Sequence, residues 1–267
     1  MAPFDTLTLP LDVGPALASS GGRSGPVVTY HPHVALWEGL DGLLTDLITR
    51  SGAVDIAELG GGANPSIDVV TAAGRADTFT VVDISPAELD KSGVEVRTVQ
   101  ADLAQPGLDL GGSFDLVFSR MLAEHVPSGR AFHENCFASL RPGGLAVHFS
   151  PVVSSLPFLA NRLLPDGLSD KIVLSIWPER SGEGQHGKFP APYSWCAGPT
   201  ERHLARFRSV GFEPVAFFVG FGHGYYEKVP PLRLAERAKT RFLLRHPKPG
   251  LASYVISVLR RPEADEG

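Results

Sequence analysis

Three acidic residues follow short apolar runs in the first half of the sequence. Glu58 lies in AELGGGANP, Asp83 ends TVVD, and Asp102 lies in VQADL. Each run is typical of a buried strand, which places each carboxylate at the end of a strand. One such carboxylate is more often a surface group than a ligand. Three in succession predict a binding site, because open α/β sheets bind ligands beyond the carboxyl ends of their strands.

A run of glycines separates the first of these strands from the next helical segment. Gly60, Gly61 and Gly62 form a turn in which the missing side chains let a ligand approach the backbone. We expect Asn64 to be the N-cap of the following helix and Pro65 to lie in its first turn. A turn of this kind serves many nucleotides, so by itself it identifies none of them.

Two features of this turn distinguish between nucleotides. Pro65 stands where a dinucleotide-binding turn continues to a further glycine. The carboxylate of Glu58 is poorly placed for a pyrophosphate but suits a ligand with an ammonium group. S-adenosylmethionine (SAM) has an ammonium and a sulfonium group and no phosphate, so the residues favour SAM over NAD. Asp83 is expected to bind ribose hydroxyls, as in both cofactor families, and Asp102 an adenine amino group.

The elements that would position these residues alternate along the chain. Five apolar runs between Val54 and Ser150 are separated by helical or loop segments, which predicts parallel strands with crossover connections. A helical period precedes them in HVALWEGLDGLLTDLITRSG. After Ser150 we expect a helix near Thr200 to Val210, then the strands FEPVAFFVG and LASYVISVLR.

The ordered series ELGGGANP, VVDIS, ADL, FDLVFSRMLAEHV and LRPGGLAVHFSP resembles the class I SAM-dependent methyltransferases. It is most similar to bacterial O-methyltransferases that act on small molecules and glycans. The resemblance covers residues 54 to 150 well and the terminal strands more loosely. It implies an α/β fold, with a Rossmann-like seven-stranded sheet, helices on both faces and a last strand inserted antiparallel.

The resemblance also implies which residues contact the cofactor. The methionine end would meet the turn after the first strand, the nucleoside would meet the second and third strand ends, and the sulfonium would lie over the end of the fourth strand. The expected residues are Glu58, Gly60, Gly61, Gly62, Asp83, Ile84, Asp102, Leu103, Ser119 and Arg120.

We divide the chain into a flexible N-terminal arm, residues 1 to 27, and one methyltransferase domain, residues 28 to 267. The domain has a core at 54–150, an insertion at 151–199 that forms a lid over the acceptor, and a second insertion at 222–250. The lid is the expected place for acceptor recognition because it follows a strand end. The candidate acceptor contacts are Tyr30, His186, Tyr193, Trp195 and Tyr225. The alternative for Tyr193 and Trp195 is that they pack the lid onto the core.

His125, in RMLAEHV, is the candidate general base. A hydroxyl acceptor must lose a proton during methyl transfer, and a histidine accepts protons near neutral pH. The alternative is a structural or cofactor-side role for this residue. Glu124 is a weaker candidate for the same task.

Composition excludes several other classes of function. The chain has 267 residues, 43% of them hydrophobic, and a formal net charge of -5, which disfavours non-specific binding of nucleic acid. The two cysteines, Cys136 and Cys196, form no metal-binding motif, and no metal is expected. We find no secretory signal and no membrane-spanning run, so we expect a cytoplasmic protein. The basic segment 227–248 is expected to be a solvated helix face or a subunit contact, with an anionic acceptor or a lipid surface as alternatives.

The sequence therefore predicts a SAM-dependent methyltransferase that acts on a hydroxyl of a sugar, glycan or secondary metabolite. Its partner would be a small-molecule or glycan acceptor. The sequence leaves open whether the chain forms a homodimer. An NAD-dependent oxidoreductase and a SAM-binding protein without catalysis are the alternatives.

Overall fold

The computed structural model describes residues 11–17, 25–75, 78–93, 96–110, 112–153, 191–226 and 229–263. The strands are β1 (Val27–Pro32), β2 (Ile56–Leu59), β3 (Phe79–Asp83), β4 (Arg97–Gln100), β5 (Phe114–Arg120), β6 (Leu140–Pro151), β7 (Glu213–Phe221) and β8 (Tyr254–Arg260). The helices are α1 (Gly14–Leu17), α2 (His33–Ser51), α3 (Ile67–Ala72), α4 (Pro86–Leu89), α5 (Gly129–Ser139), α6 (Glu201–Val210) and α7 (Pro230–Arg245). Short 3-10 turns occupy Ala123–His125, Gly224–Tyr226 and Pro249–Leu251.

The eight strands form a single sheet in the order β1-β7-β8-β6-β5-β2-β3-β4. Within it, β8 pairs antiparallel with both β6 and β7, and the other pairs are parallel. The direction of winding reverses between β2 and β5, so right-handed crossovers place α3 and α5 on opposite faces. Helix α2 packs with α3, and α6 packs with α5. The reversal point opens at the carboxyl edge of the sheet.

The sheet has one strand more than the seven that the sequence predicts, so that prediction is corrected to eight. The additional strand is β1, which pairs parallel with β7 at the edge of the sheet, from Val27↔Ala216 to Pro32↔Phe221. Its partner is distant in sequence, so local periodicity does not reveal the pairing. Part of the segment predicted as a flexible arm also packs against the domain, because Leu11 and Val13 are buried. The inserted antiparallel strand is confirmed as β8.

Helix α2 shows how the sequence period builds the core. Leu36, Leu40, Leu43 and Leu47 recur at steps of three and four residues, and all are at most 2% exposed. Burial of each such side chain contributes about 1.5–3 kcal/mol relative to leaving it in water. The helix ends at Ser51 and is capped by Gly52, whose φ of 69° is in the left-handed region that glycine adopts without strain.

Both predicted insertions start and end at the carboxyl edge. The first leaves after β6, and its two described ends meet, since the Val153 N–H donates to the Cys196 carbonyl over 3.0 Å. Residues 154–190, which include most of the predicted lid, lie outside the described residues. The second insertion follows β7 and consists of the 3-10 turn Gly224–Tyr226, α7 and the 3-10 turn Pro249–Leu251.

Candidate active site

The three acidic residues lie on adjacent strands at the carboxyl edge. Glu58 is in β2, Asp83 is the last residue of β3, and Asp102 follows the end of β4 by two residues. Strands β2, β3 and β4 are neighbours in the sheet, and the Ala101 N–H donates to the Asp83 carbonyl over 3.0 Å. The structure therefore brings these three predicted residues into one row.

The glycine turn lies directly above this row, in a space that has no room for side chains. A Cβ on Gly60 would be 2.7 Å from Cδ1 of Leu122, and one on Gly62 would be 3.0 Å from Oδ2 of Asp83. Gly60 and Gly62 also have φ values of 77° and 44°, which other residues adopt only with strain. Space and backbone conformation thus both require glycine here, and the bare turn fits a ligand that approaches the backbone.

Glu58 is 3% exposed and holds the start of α3. Its Oε2 accepts from the Ser66 N–H over 2.6 Å, and its Oε1 accepts from the Ser66 hydroxyl over 2.8 Å. Burial raises the pKa of Glu58, and the two hydrogen bonds from Ser66 oppose that shift. Each oxygen keeps a second lone pair, so the carboxylate can hold α3 and also accept from an ammonium group.

The same hydrogen bonds correct the predicted start of the helix. The N-cap of α3 is Ser66, two residues after the predicted Asn64. The Asn64 N–H donates to the Gly61 carbonyl over 3.0 Å and closes a turn instead. Asn64 and Pro65 therefore belong to the glycine turn, which is longer than the sequence pattern indicates.

Local backbone groups hold the second carboxylate in place. Oδ1 of Asp83 accepts from the Ser85 N–H over 2.9 Å, while its Oδ2 faces Gly62. Ile84 is 61% exposed, which is unusual for a large aliphatic side chain next to a buried strand. A hydrogen-bond acceptor beside an exposed apolar surface fits the ribose and the flat base of a nucleoside.

The loop after β4 repeats this arrangement. Asp102 accepts from the Ala104 N–H over 3.0 Å and from the Gln105 amide over 3.2 Å. Leu103 is 6% exposed and anchors the loop in the core. The carboxylate therefore stays at the strand end, where an adenine amino group could donate to it.

The end of β5 closes the site on the other side of the glycine turn. The hydroxyl of Ser119 and Nδ1 of His148 share a buried hydrogen bond of 2.9 Å. Arg120 forms an ion pair with Asp41 of α2. Met121 has a φ of 51°, and its N–H donates to the Phe149 carbonyl over 2.8 Å, so the chain bends sharply into the turn Ala123–His125.

His125 and Glu124 lie in that turn. The His125 side chain is 38% exposed and the Glu124 side chain 4%, and Nε2 of the ring lies 3.8 Å from Oε1 of the carboxyl group. Burial raises the pKa of Glu124 to about 7. The Tyr193 N–H donates to the Glu124 carbonyl over 3.0 Å, which holds the turn against the returning end of the first insertion. The Glu124 carboxyl can therefore take up a proton near neutral pH.

The structure separates the predicted acceptor residues into two groups. Tyr30 of β1 stacks on Phe221 at a centroid distance of 5.8 Å, and Tyr225 lies 6.0 Å from the ring of His223, so both are near the carboxyl edge. Tyr193 is buried under the turn Ala123–His125. His186 lies outside the described residues.

Trp195 packs in the layer formed by α5 and α6. Its ring stacks on His133 of α5 at 5.6 Å, and the guanidinium of Arg206 lies 5.7 Å from the ring centroid. A Cβ on Gly129 would be 2.8 Å from Cβ of Trp195, so the indole base is tightly fitted to α5. These contacts correspond to the packing alternative for Trp195.

Sequence reasoning missed Trp37, which it counted only as an apolar position of α2. Trp37 is 43% exposed, and its ring makes edge contacts with Phe149 at a centroid distance of 4.7 Å and with Tyr254 at 5.7 Å. Asp41, one turn later, pairs with Arg120. The sequence does contain a pattern that indicates this face: polar and aromatic residues recur every four residues, which puts them on one side of the helix. This face of α2 spans the carboxyl edge from β5 to β8.

Comparison with known proteins supports the same class. Residues 57–148 match the family model described as a methyltransferase domain. The fold is similar to a putative sarcosine dimethylglycine methyltransferase from Galdieria sulphuraria, with a TM-score of 0.51, 14% identity, and coverage of 91% of this chain and 95% of that one. It is also similar to StiE O-MT residues 961-1257, with a TM-score of 0.50, 17% identity, and coverage of 86% and 75%. No curated protein matches the sequence.

The match of residues 57–148 to a methyltransferase domain and the similar fold agree with the methyltransferase that the sequence predicts. The cofactor of this domain is S-adenosylmethionine. Within the described residues, no group of three or more histidine, cysteine, aspartate or glutamate side chains could hold a metal ion. The helices in this part of the chain are too short or too polar to cross a membrane.

Proposed function

We propose that this protein transfers the methyl group of SAM to a hydroxyl of a sugar, glycan or secondary metabolite. The observation that carries the proposal is the row of Glu58, Asp83 and Asp102 at the ends of three adjacent strands, around a turn that admits no side chains. A row of carboxylates and a bare turn suit a cationic nucleoside better than a phosphate, since phosphate would be repelled.

The chain's own groups would bind the cofactor at three points. Glu58 would accept hydrogen bonds from the ammonium group of SAM, and the glycine turn would enclose that end of the cofactor. Asp83 accepts from the ribose hydroxyls, while Ile84 packs against the base and Asp102 accepts from its amino group. Bound SAM supplies a methyl group on a positively charged sulfur. These contacts orient that methyl group toward the end of β5.

The acceptor hydroxyl is expected to lie between that methyl group and His125. Bound SAM would supply the methyl group to the acceptor oxygen and would leave as S-adenosylhomocysteine, and the hydroxyl proton would pass to His125. The products are a methyl ether, S-adenosylhomocysteine and a protonated imidazole. The neighbouring Glu124 carboxyl, 3.8 Å from the ring, stabilises the imidazolium when it is ionised.

An aromatic wall beside β6 and β8 suits a ring-shaped acceptor. Trp37 is exposed and stands edge to face on Phe149 and Tyr254, which are buried behind it, and His33 lies 6.2 Å from Tyr254. The face of an indole packs well on the C–H surface of a sugar or on another ring. The wall supports an acceptor of this class and adds Trp37 to the residues proposed for acceptor binding.

Calorimetric titration of the protein with SAM, S-adenosylhomocysteine and NAD in parallel tests the proposal. We expect both sulfur nucleosides to bind at micromolar concentration and NAD not to bind. Asp83→Ala should weaken the binding of both at least about tenfold, since a hydrogen bond to a charged group contributes about 1.5–3 kcal/mol. The matched control is Asp90→Ala, an exposed carboxylate at the end of α4.

A methyl mass gain in sugar or ring acceptors then separates catalysis from binding alone. If Asp83→Ala binds SAM as tightly as the wild type, the cofactor site is assigned wrongly. If SAM binds but no acceptor of these classes gains a methyl group, the protein is a SAM-binding protein rather than the proposed enzyme.

A further inference from the structure

Helix α7, in the second insertion, has apolar side chains on its outer surface. Leu234 is 65% exposed and Phe242 is 59% exposed. They lie eight residues apart, with Ala238 midway, so they occupy one stripe along the helix. Large exposed apolar side chains grouped on one element mark an interaction surface more often than isolated ones do.

This stripe belongs to a continuous face, which we call the outer face of α7. Its members recur at steps of three and four residues, and all are exposed: Pro231, Leu234, Ala235, Ala238, Arg241, Phe242 and Arg245. The opposite side packs on the domain through Leu243, which is 2% exposed. The single acidic residue of α7, Glu236, is outside the outer face and pairs with Lys239 over 2.7 Å.

The charge of this region opposes that of the whole chain. Residues 230–248 contain six arginines and lysines and one acidic residue, whereas the chain as a whole has a net charge of -5. The outer face therefore combines apolar side chains with arginines and has no acidic residue. A helix with this combination lies in the headgroup plane of a bilayer, with its apolar residues in the acyl boundary.

A second copy of the chain is a poorer occupant. A two-fold dimer through this face would bring the arginines of both copies into one interface, because each side is the same patch, and the residues of the outer face include no carboxylate to pair with them. An anionic bilayer instead attracts each arginine and also receives Leu234 and Phe242. The charge of the outer face and its apolar side chains therefore both favour a lipid surface.

We propose that the outer face of α7 binds the surface of membranes that contain anionic lipids. The helix lies on the same edge of the sheet as the active site. Thr240 of α7 is next to Gly222 at the end of β7, where a Cβ on the glycine would be 2.9 Å from Oγ1 of the threonine and 3.0 Å from Nδ1 of His33. Binding at this face would thus bring the acceptor side of the protein close to the headgroups.

A fluorescent label at position 242 tests the location. Both native cysteines, Cys136 and Cys196, are at most 2% exposed, so a thiol-reactive nitrobenzoxadiazole dye should label Phe242→Cys selectively. We expect a blue shift with vesicles of phosphatidylcholine and phosphatidylglycerol, no shift with phosphatidylcholine alone, and reversal by salt. The control label is Arg202→Cys, an exposed position on α6. No shift at 242 with anionic vesicles overturns the proposal.

Vesicle co-sedimentation separates the apolar from the basic contribution. Leu234→Ser with Phe242→Ser, and separately Arg245→Gln with Lys248→Gln, should each lower the partition coefficient about tenfold or more. Arg202→Gln with Arg208→Gln on α6 removes the same charge elsewhere and should have little effect. An equal loss in that control would show a general charge effect and overturn the proposal.

Two further readouts distinguish folding and self-association. Every variant should bind S-adenosylhomocysteine as the wild type does, which shows that the domain is folded. Sedimentation velocity measures whether the protein forms a dimer and whether the double serine variant dissociates it. A dimer that this variant dissociates, together with no vesicle binding, would assign the face to a second copy and reject the membrane. Vesicle binding requires no methyl transfer, so the membrane proposal can fail while the proposed function stands. Equally, the proposed function can fail while vesicle binding is observed.

Discussion

His125 and Glu124 are adjacent in sequence but have different surroundings. The ring is 38% exposed and can reach an acceptor, while the carboxyl side chain is 4% exposed behind it. Desolvation raises the pKa of Glu124 to about 7, so it gains or loses a proton in the range where a histidine also titrates. We expect the pH profile of the reaction to report the ionisation of the Glu124 carboxyl near pH 7.

His125→Gln tests the base directly. We expect kcat to fall about 100-fold or more, since general base catalysis contributes about 10²–10⁴ to a rate. The affinity for S-adenosylhomocysteine should stay unchanged, because the ring is not part of the glycine turn. Single-turnover methyl transfer and calorimetry measure the two quantities. His246→Gln, at an exposed site after α7, is the control, and a wild-type rate in His125→Gln would assign the proton to another group.

The turn between β2 and α3 is specified by space as much as by backbone conformation. Gly62 has a φ of 44° and faces the Asp83 carboxylate, whereas Gly74 has a φ of 69° and a Cβ added there would meet no atom within 4 Å. The two glycines share the left-handed backbone and differ in their surroundings. Substitutions at the two positions therefore separate the effect of backbone strain on stability from a specific effect on the cofactor site.

Gly62→Ala and Gly74→Ala form a matched pair of variants. Each should lower the free energy of unfolding by about 1–2 kcal/mol, the cost of a left-handed conformation for a residue with a Cβ. Only Gly62→Ala should also weaken SAM binding, because its methyl group displaces the Asp83 carboxylate. Urea unfolding and calorimetric titration measure the two effects. Equal SAM affinity in both variants would contradict a role for Asp83 in ribose binding.

Three buried histidines link the central sheet to the helices of one face. His133 of α5 lies 5.1 Å from His148 of β6 and 4.9 Å from Phe207 of α6 between ring centroids, and His203 lies 4.6 Å from the same Phe207. Desolvation lowers the pKa of all three, to about 3 for His148 and to about 4 for His203. The rings are therefore neutral in the folded protein.

This cluster predicts a loss of stability in mild acid. A histidine whose folded pKa is lowered contributes its full stability above the unfolded pKa of about 6.5 and loses it as the pH falls toward the folded value. At pH 5 the loss is about 2 kcal/mol each for His148 and His203. Urea unfolding at pH 7.5 and pH 5 should show a smaller difference for His203→Leu than for the wild type. An unchanged difference would mean that His203 is protonated in the folded state.

The proposed membrane binding by α7 depends on the whole molecule, because this helix is basic while the chain as a whole is acidic. The basic segment is visible in the sequence. Only the fold shows that Leu234 and Phe242 point outward from it while Leu243 is buried.

The sequence by itself determined the elements of the core and the row of carboxylates. Alternating apolar runs and glycine turns are local patterns, and parallel strands necessarily bring their carboxyl ends to one edge. Glu58, Asp83 and Asp102 could therefore be placed together from the sequence. The helical period of α2 was predictable for the same reason, whereas the antiparallel insertion of β8 was expected only from the resemblance to a known family.

Tertiary structure alone decided what depends on contacts between distant segments. The pairing of β1 with β7, the meeting of Trp37 with Tyr254 and the packing of Trp195 on His133 all join residues far apart in the chain. No local period encodes such partners, because they are selected by the free energy of packing in the complete fold. For that reason the cofactor side of the site was readable from sequence, while the acceptor side became visible only in the folded protein.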